Sequence, residues 1–101
     1  MKYRIIIRIE AEDDIKEAFL WYEDKRKGLG YDFLLQVDAG LRFIKRFPEI
    51  FKPEYKRTRK HIIKRFPYKI IYLLNKERIV ILAVIHGKRS TSLTKDRIDS
   101  S

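Results

Sequence analysis

Residues 78–86 read RIVILAVIH, an apolar run that begins at Arg78 and ends at His86. A strand with one face in water should alternate apolar and polar side chains, but residues 79–85 do not alternate. The run therefore predicts a strand whose two faces are both covered. A helical layer covers one face, and the sequence leaves three covers open for the other: the chain's own tail, a second copy, or a bound partner.

Two further strands are predicted before this run, over residues 59–64 and 67–74. Asn75, Lys76 and Glu77 form a short polar connector, so the strands on either side of it should pair as an antiparallel hairpin. In the strand over 59–64, residues 59, 61 and 63 should share one face, and residues 60, 62 and 64 the other.

The first half of the chain changes from strand to helix periodicity. Residues 2–9 predict a strand, and apolar residues then recur at helical spacing from residue 11 to about 27, where Gly28 can supply a left-handed helix end. A second helix is predicted over residues 31–46. The acidic residues of the first helix are interpreted as capping and solvated charge: Glu12, Asp13, Asp14 and Glu17.

The element order β-α-α-β-β-β predicts a single α+β domain over residues 1–101. Because a few residues join the two helices, they should pack antiparallel as a hairpin on one face of a twisted, antiparallel-rich sheet. Residues 90–101 are polar and predict a partly mobile tail, in which residues 93–98 can form a helical turn.

Charge is segregated along the chain. Lys and Arg number 24 against 14 Asp and Glu, and the whole excess of +10 lies after residue 50. Clustered positive charge attracts nucleic acid, an acidic protein or an anionic surface, although a solvated basic face is the alternative. The chain has no cysteine and no membrane-length apolar run, which favours a cytoplasmic protein without a membrane segment.

The inventory of reactive residues predicts no metal and no cofactor. The four glycines are scattered, and His61 and His86 lie far along the chain from most carboxylates. Tyr55 and Tyr68 are aromatics on which a base could stack, whereas Phe66 and Tyr72 are better interpreted as core. Eight cations are expected to bind nucleic acid or a target protein: Lys56, Arg57, Arg59, Lys60, Lys64, Arg65, Lys88 and Arg89.

The chain from about Tyr3 to Arg89 resembles the RelE/ParE superfamily of bacterial toxins. The segment RFPYKIIY at residues 65–72, followed by an apolar strand that ends in His-x-x-Arg, resembles the ParE-like branch. The resemblance implies a toxin of a type II toxin–antitoxin (plasmid stabilisation) system. An acidic antitoxin encoded beside it would neutralise it in a hetero-oligomer. We expect contacts of that antitoxin at Trp21, Tyr22, Leu82 and Val84.

The resemblance leaves three activities open. ParE-like members are thought to inhibit DNA gyrase and are not nucleases, whereas RelE-like members cleave messenger RNA on the ribosome without a metal. A nuclease would use Arg89, Lys69, Arg65, Lys60 and His86, but no Tyr follows Arg89, as RelE-like enzymes often have. The third alternative is a decayed toxin that only binds its antitoxin.

A lone His at a strand end, such as His86, is alternatively structural. For gyrase inhibition and for RNA cleavage alike, we expect one docking face. It would consist of cations on the C-terminal strands beside apolar surface that the helices leave bare.

Overall fold

The structure, a computed structural model, describes residues 3–100. Lys2, at the start of the first predicted strand, and Ser101, at the end of the predicted tail, lie outside these residues. The elements in chain order are β1 (Arg4–Ile7), α1 (Ile9–Lys25), α2 (Leu29–Arg46), a 3-10 turn (Tyr55–Arg57), β2 (Arg59–Ile62), β3 (Tyr68–Asn75), β4 (Arg78–His86) and α3 (Thr91–Asp99). None of the helices in this range is long and apolar enough to cross a bilayer.

The sheet has the strand order β1-β4-β3-β2 and confirms the predicted α+β fold. β3 and β4 form the expected antiparallel hairpin, with Asn75 opposite Arg78, and β2 pairs antiparallel with β3. β1 runs parallel to β4 but pairs only with residues 78–81, the first four of nine. The rest of β4 therefore has no strand on that side, and α1 lies against it.

α1 and α2 form the predicted antiparallel hairpin around Gly28. This glycine has a φ of 91°, which a residue without Cβ adopts at little cost. It caps the start of α2 and not, as the sequence predicts, the end of α1, because α1 already ends at Lys25 with the extended Arg26 as its cap. The carboxylate of Glu23 accepts hydrogen bonds from the backbone N–H groups of Gly28 and Gly30 at 2.8 and 2.9 Å. At Gly30 the helices are so close that a Cβ would lie 2.7 Å from the backbone oxygen of Phe19.

The main core lies between the helical hairpin and the sheet. Its centre is aromatic: Phe33 packs edge-on against Phe66 and Tyr68, with ring centroids 5.4 and 5.1 Å away. Phe66 and Tyr72 are buried, as the sequence predicts, and the Tyr72 hydroxyl donates to the carbonyl of Pro48 at 2.8 Å. These contacts pack β3 and the segment before it against α2 and the residues that follow α2.

The second face of the sheet is covered by α3, the first of the three covers that the sequence left open. Ile98 packs there against Ile71, Leu82, Ala83 and Ile85. The helix is longer than the predicted turn over 93–98, because the Ser90 side chain accepts from the N–H of Leu93 and caps its first turn. The mobility of residues 90–101 stays a prediction.

α3 is tied to α1 by an ion pair that joins residues 83 positions apart. Arg97 donates from both terminal nitrogens to the carboxylate of Asp14, at 2.6 and 2.8 Å. The same carboxylate accepts from the backbone N–H of Val84 at 3.0 Å, in the part of β4 that β1 does not reach. The interpretation of Asp14 as a capping or solvated charge is wrong, because α1 begins at Ile9 and this side chain points inward.

Candidate functional site

A groove of about 520 Å³ runs between α1 and the C-terminal half of β4. It exists because β1 is short, so the edge of β4 beyond residue 81 faces a helix instead of a strand. The lining residues are Asp14, Glu17, Ala18, Trp21, Tyr22, Tyr68, Val84, Ile85, His86 and Arg89. Three of the four residues expected to contact an antitoxin, Trp21, Tyr22 and Val84, are thus brought together.

Trp21 is the prominent side chain of the groove. Its side chain is 56% exposed, it meets the ring of Tyr22 edge-on at 5.1 Å, and the Lys25 ammonium lies 4.7 Å from its ring centroid. Tyr22 is half-buried, and burial raises the pKa of its phenol. An exposed indole beside a half-buried phenol is the kind of surface on which protein partners bury an aromatic anchor.

Leu82 and Val84 lie deeper than the sequence predicts. Both residues are only 1% exposed, Leu82 under α3 and Val84 under the hairpin. The expectation of a bare apolar face on the last strand is therefore wrong, because α3 already covers it. Val84 contributes to the floor of the groove, whereas contact with Leu82 requires α3 to move.

His86 and Arg89 lie at one end of the groove. The Nδ1 atom of His86 accepts from the backbone N–H of Lys88 at 3.0 Å, and the ring packs on Tyr68 at 5.4 Å. These contacts are those expected of the structural alternative, and the role of His86 stays a prediction. Arg89 lines the groove and also a neighbouring cavity that contains Glu10 and Asp13.

A second group of cations lies on the face of the sheet that carries α3. Lys60, Lys69 and Lys88 line a shallow depression there with Ile62, whose side chain is 66% exposed. Burial and the neighbouring Lys60 lower the pKa of Lys69. Lys60 lies 3.5 Å from the carboxylate of Glu54. We call Lys60, Lys69 and Lys88 the lysine strip.

The five residues expected in a nuclease are divided by the sheet. Lys60 and Lys69 belong to the lysine strip, whereas His86 and Arg89 belong to the groove on the hairpin side. Arg65 lies in a third place, before β3. Its guanidinium is 3.9 Å from the carboxylate of Asp32 on α2, and the backbone φ of Arg65 is 71°. In this arrangement the five side chains do not surround a common point.

The remaining predicted target-binding cations are also dispersed. Lys56 pairs with Asp99 at 3.0 Å, and the Arg59 guanidinium donates to the carbonyl of Phe51 at 2.7 Å. Arg57 and Lys64 are exposed. The expectation that the cations form a single docking face is therefore wrong, because some lie on opposite faces of β2 and others in the turns beside the sheet.

His61 contributes no reactive group to either surface. It stacks on Phe43 with ring centroids 5.2 Å apart, and burial, followed by the charge of Lys64, lowers its pKa. Sequence reasoning missed the parts played by Asp14, Lys25 and Lys95. Asp14 and Lys95 are placed by contacts with distant segments, whereas Lys25 could have been found from its position four residues after Trp21 on the same helix face.

Comparisons with known proteins agree on one family. Residues 2–91 match the family model described as "ParE toxin of type II toxin-antitoxin system, parDE". The chain is 32% identical over 99 residues to Toxin ParE2 of two Mycobacterium tuberculosis strains, CDC 1551 / Oshkosh and ATCC 25618 / H37Rv, covering 97% of this chain and 94% of each relative.

A solved structure shares the fold. It is titled "Chromosomal ParDE TA system from P. aeruginosa", and one of its chains superposes with a TM-score of 0.65 at 15% identity. The match covers 84% of the present chain and 96% of that chain.

Proposed function

Because the chain belongs to the ParE toxin family of type II toxin–antitoxin systems, we propose that it inhibits DNA gyrase by binding and cuts no nucleic acid. We further propose that a cognate acidic antitoxin neutralises it in the cytoplasm, in a system that stabilises the replicon encoding it. The family model spans residues 2–91, so the likeness extends over the helical hairpin and the whole sheet.

The separation of the cations supports binding over cleavage. General acid–base attack on a phosphodiester needs its groups within hydrogen-bond reach of one phosphate. Here Lys69 lies on one face of the sheet, and His86 and Arg89 lie on the other. The tail also lacks the tyrosine that often serves RelE-like nucleases.

The groove is the proposed antitoxin site. An amphipathic helix can place apolar side chains against Trp21, Tyr22 and Val84, in the way that helices dock into apolar grooves of other proteins. Its acidic side chains would then meet Lys25 beside the indole and Arg89 at the far end. A title that names a ParDE system for the structural neighbour is consistent with such a toxin–antitoxin assembly.

Target binding is proposed for the cations that remain exposed on the strand side, Lys60 and Lys88 above all. Lys88 and Arg89 are adjacent in the turn after β4, and Arg89 lines the groove while Lys88 borders the lysine strip. An antitoxin segment that passes Arg89 therefore reaches Lys88. Binding in the groove would in this way cover the edge of the target-binding surface.

Induced expression of the chain without its antitoxin tests the proposal. We expect growth to stop, the DNA damage response to rise, and messenger RNA to stay intact in primer extension. Co-expression of the short acidic reading frame beside the gene should restore growth. Codon-phased cuts in messenger RNA would contradict the proposal in favour of a RelE-like nuclease, and unaffected growth would indicate a chain that has lost its toxicity.

A further inference from the structure

A second cavity, of about 260 Å³, lies between α3 and the outer face of the sheet. It is distinct from the groove, which opens on the hairpin side. Its lining residues are Glu54, Tyr55, Thr58, Arg59, Lys60, Lys69, Ile71, Thr91, Thr94, Lys95 and Ile98. No part of the proposed antitoxin site uses this cavity.

Positive charge dominates the cavity. Three lysines from three different elements line it: Lys60 on β2, Lys69 on β3 and Lys95 on α3. Among the lining residues, all of which the structure describes, Glu54 is the one carboxylate, and it pairs with Lys60 at 3.5 Å. Arg59 also lines the cavity and keeps its charge, since its guanidinium donates to the neutral carbonyl of Phe51 at 2.7 Å.

Two of the lysines have carboxylates only at longer range, Glu54 for Lys69 and Asp99 for Lys95. Within residues 3–100, neither Lys69 nor Lys95 forms an ion pair, and Lys95 instead lies 4.9 Å from the ring centroid of Tyr55. Burial and Lys60 together lower the pKa of Lys69, which is the response expected of an ammonium group held beside another cation. A bound anion would remove this repulsion.

The surroundings favour a phosphate over a small carboxylate. Three lysines and Arg59 against one carboxylate leave a charge of +3, an excess that favours the dianion of a phosphomonoester over a singly charged carboxylate. α3 also begins at Thr91 on the cavity wall, so the positive end of its dipole lies there. Next to the cavity, the open depression along the lysine strip shares Lys60 and Lys69 and includes the exposed Ile62, so the rest of a phosphate-bearing ligand can continue along this surface.

We infer that the cavity under α3 binds the phosphate group of a nucleotide, free or within a nucleic-acid strand, through Lys60, Lys69 and Lys95. The site shares Lys60 with the proposed target-binding surface but does not depend on gyrase or on the antitoxin. Its test uses the full chain and small probes, so a failure here is distinguishable from a failure of the proposed function.

Calorimetric titration of the full chain with two probes tests the inference. The probes are adenosine 5′-monophosphate and a short single-stranded DNA without terminal phosphates. We expect Lys69→Gln to weaken binding about tenfold, because a charged hydrogen bond is lost. Lys45→Gln, which removes the same charge from an exposed position on α2, is the matched control and should stay within about twofold of the parent.

The two probes distinguish the source of the phosphate. Lys69-dependent binding of the mononucleotide assigns a phosphomonoester, and Lys69-dependent binding of the oligonucleotide alone assigns a phosphodiester; either result supports the site. If Lys69→Gln fails to fold, the exposed Lys95→Gln takes its place, with about a threefold loss expected. Binding of neither probe, or equal losses in the test and control variants, would overturn the inference.

Discussion

Trp21→Ala is expected to weaken binding of the cognate antitoxin by about 2 kcal/mol, or roughly thirtyfold in Kd. The indole is 56% exposed in the free chain and lines the groove, so a partner that covers it buries a large aromatic surface. Because so much of Trp21 is exposed before binding, its removal should cost the free chain little stability. Calorimetric titration of each variant with the antitoxin gives the Kd.

Leu20→Ala is the matched control for this prediction. Leu20 precedes Trp21 on α1 and is 55% exposed, but it does not line the groove. We expect its variant to bind the antitoxin with a Kd close to that of the parent chain. A Trp21→Ala variant that binds as well as Leu20→Ala would show that the antitoxin docks elsewhere on the molecule.

Asp14→Ala is expected to lower the free energy of unfolding by about 3 kcal/mol. The Asp14 and Arg97 side chains are only 9% and 17% exposed, so loss of the carboxylate leaves a mostly buried guanidinium without its bidentate partner. The backbone N–H of Val84 loses its acceptor in the same step. Urea unfolding, followed by circular dichroism, measures the change.

Asp13→Ala is the control on the neighbouring position, since Asp13 is exposed. It should change the free energy of unfolding by no more than about 0.5 kcal/mol. Arg97→Met should cost less than Asp14→Ala, because the carboxylate keeps its hydrogen bond from Val84. If Asp14→Ala proved as mild as Asp13→Ala, the ion pair would contribute little to holding α3 on the sheet.

The sequence predicts the strands and helices of this fold well, because the spacing of apolar residues along the chain reflects the local backbone conformation. The run without alternation at residues 79–85 correctly indicates a strand covered on both faces, and the polar connector at 75–77 correctly indicates the β3–β4 hairpin. Gly28 has the left-handed conformation that its residue type favours, although it caps the start of α2 and not the end of α1. Each of these features depends on residues close together in the chain.

The candidate site could be predicted only in part. Trp21 and Tyr22, predicted as antitoxin contacts, both line the groove. The ion pair between Asp14 and Arg97 of α3 joins residues 83 positions apart, for which no local pattern gives a signal. The basic segment from Lys52 to Lys69 reads as one cluster in the sequence. Folding distributes its side chains between opposite faces and a turn, and Lys95 joins Lys69 only through tertiary contact.

A supercoiling assay with purified DNA gyrase tests the central claim, inhibition by binding, most directly. The account predicts that the purified chain blocks supercoiling of relaxed plasmid, that added antitoxin restores it, and that ribosome-bound messenger RNA incubated with the chain stays whole. Gyrase that keeps full activity at a large molar excess of the chain, together with cleavage of that messenger RNA, would contradict it.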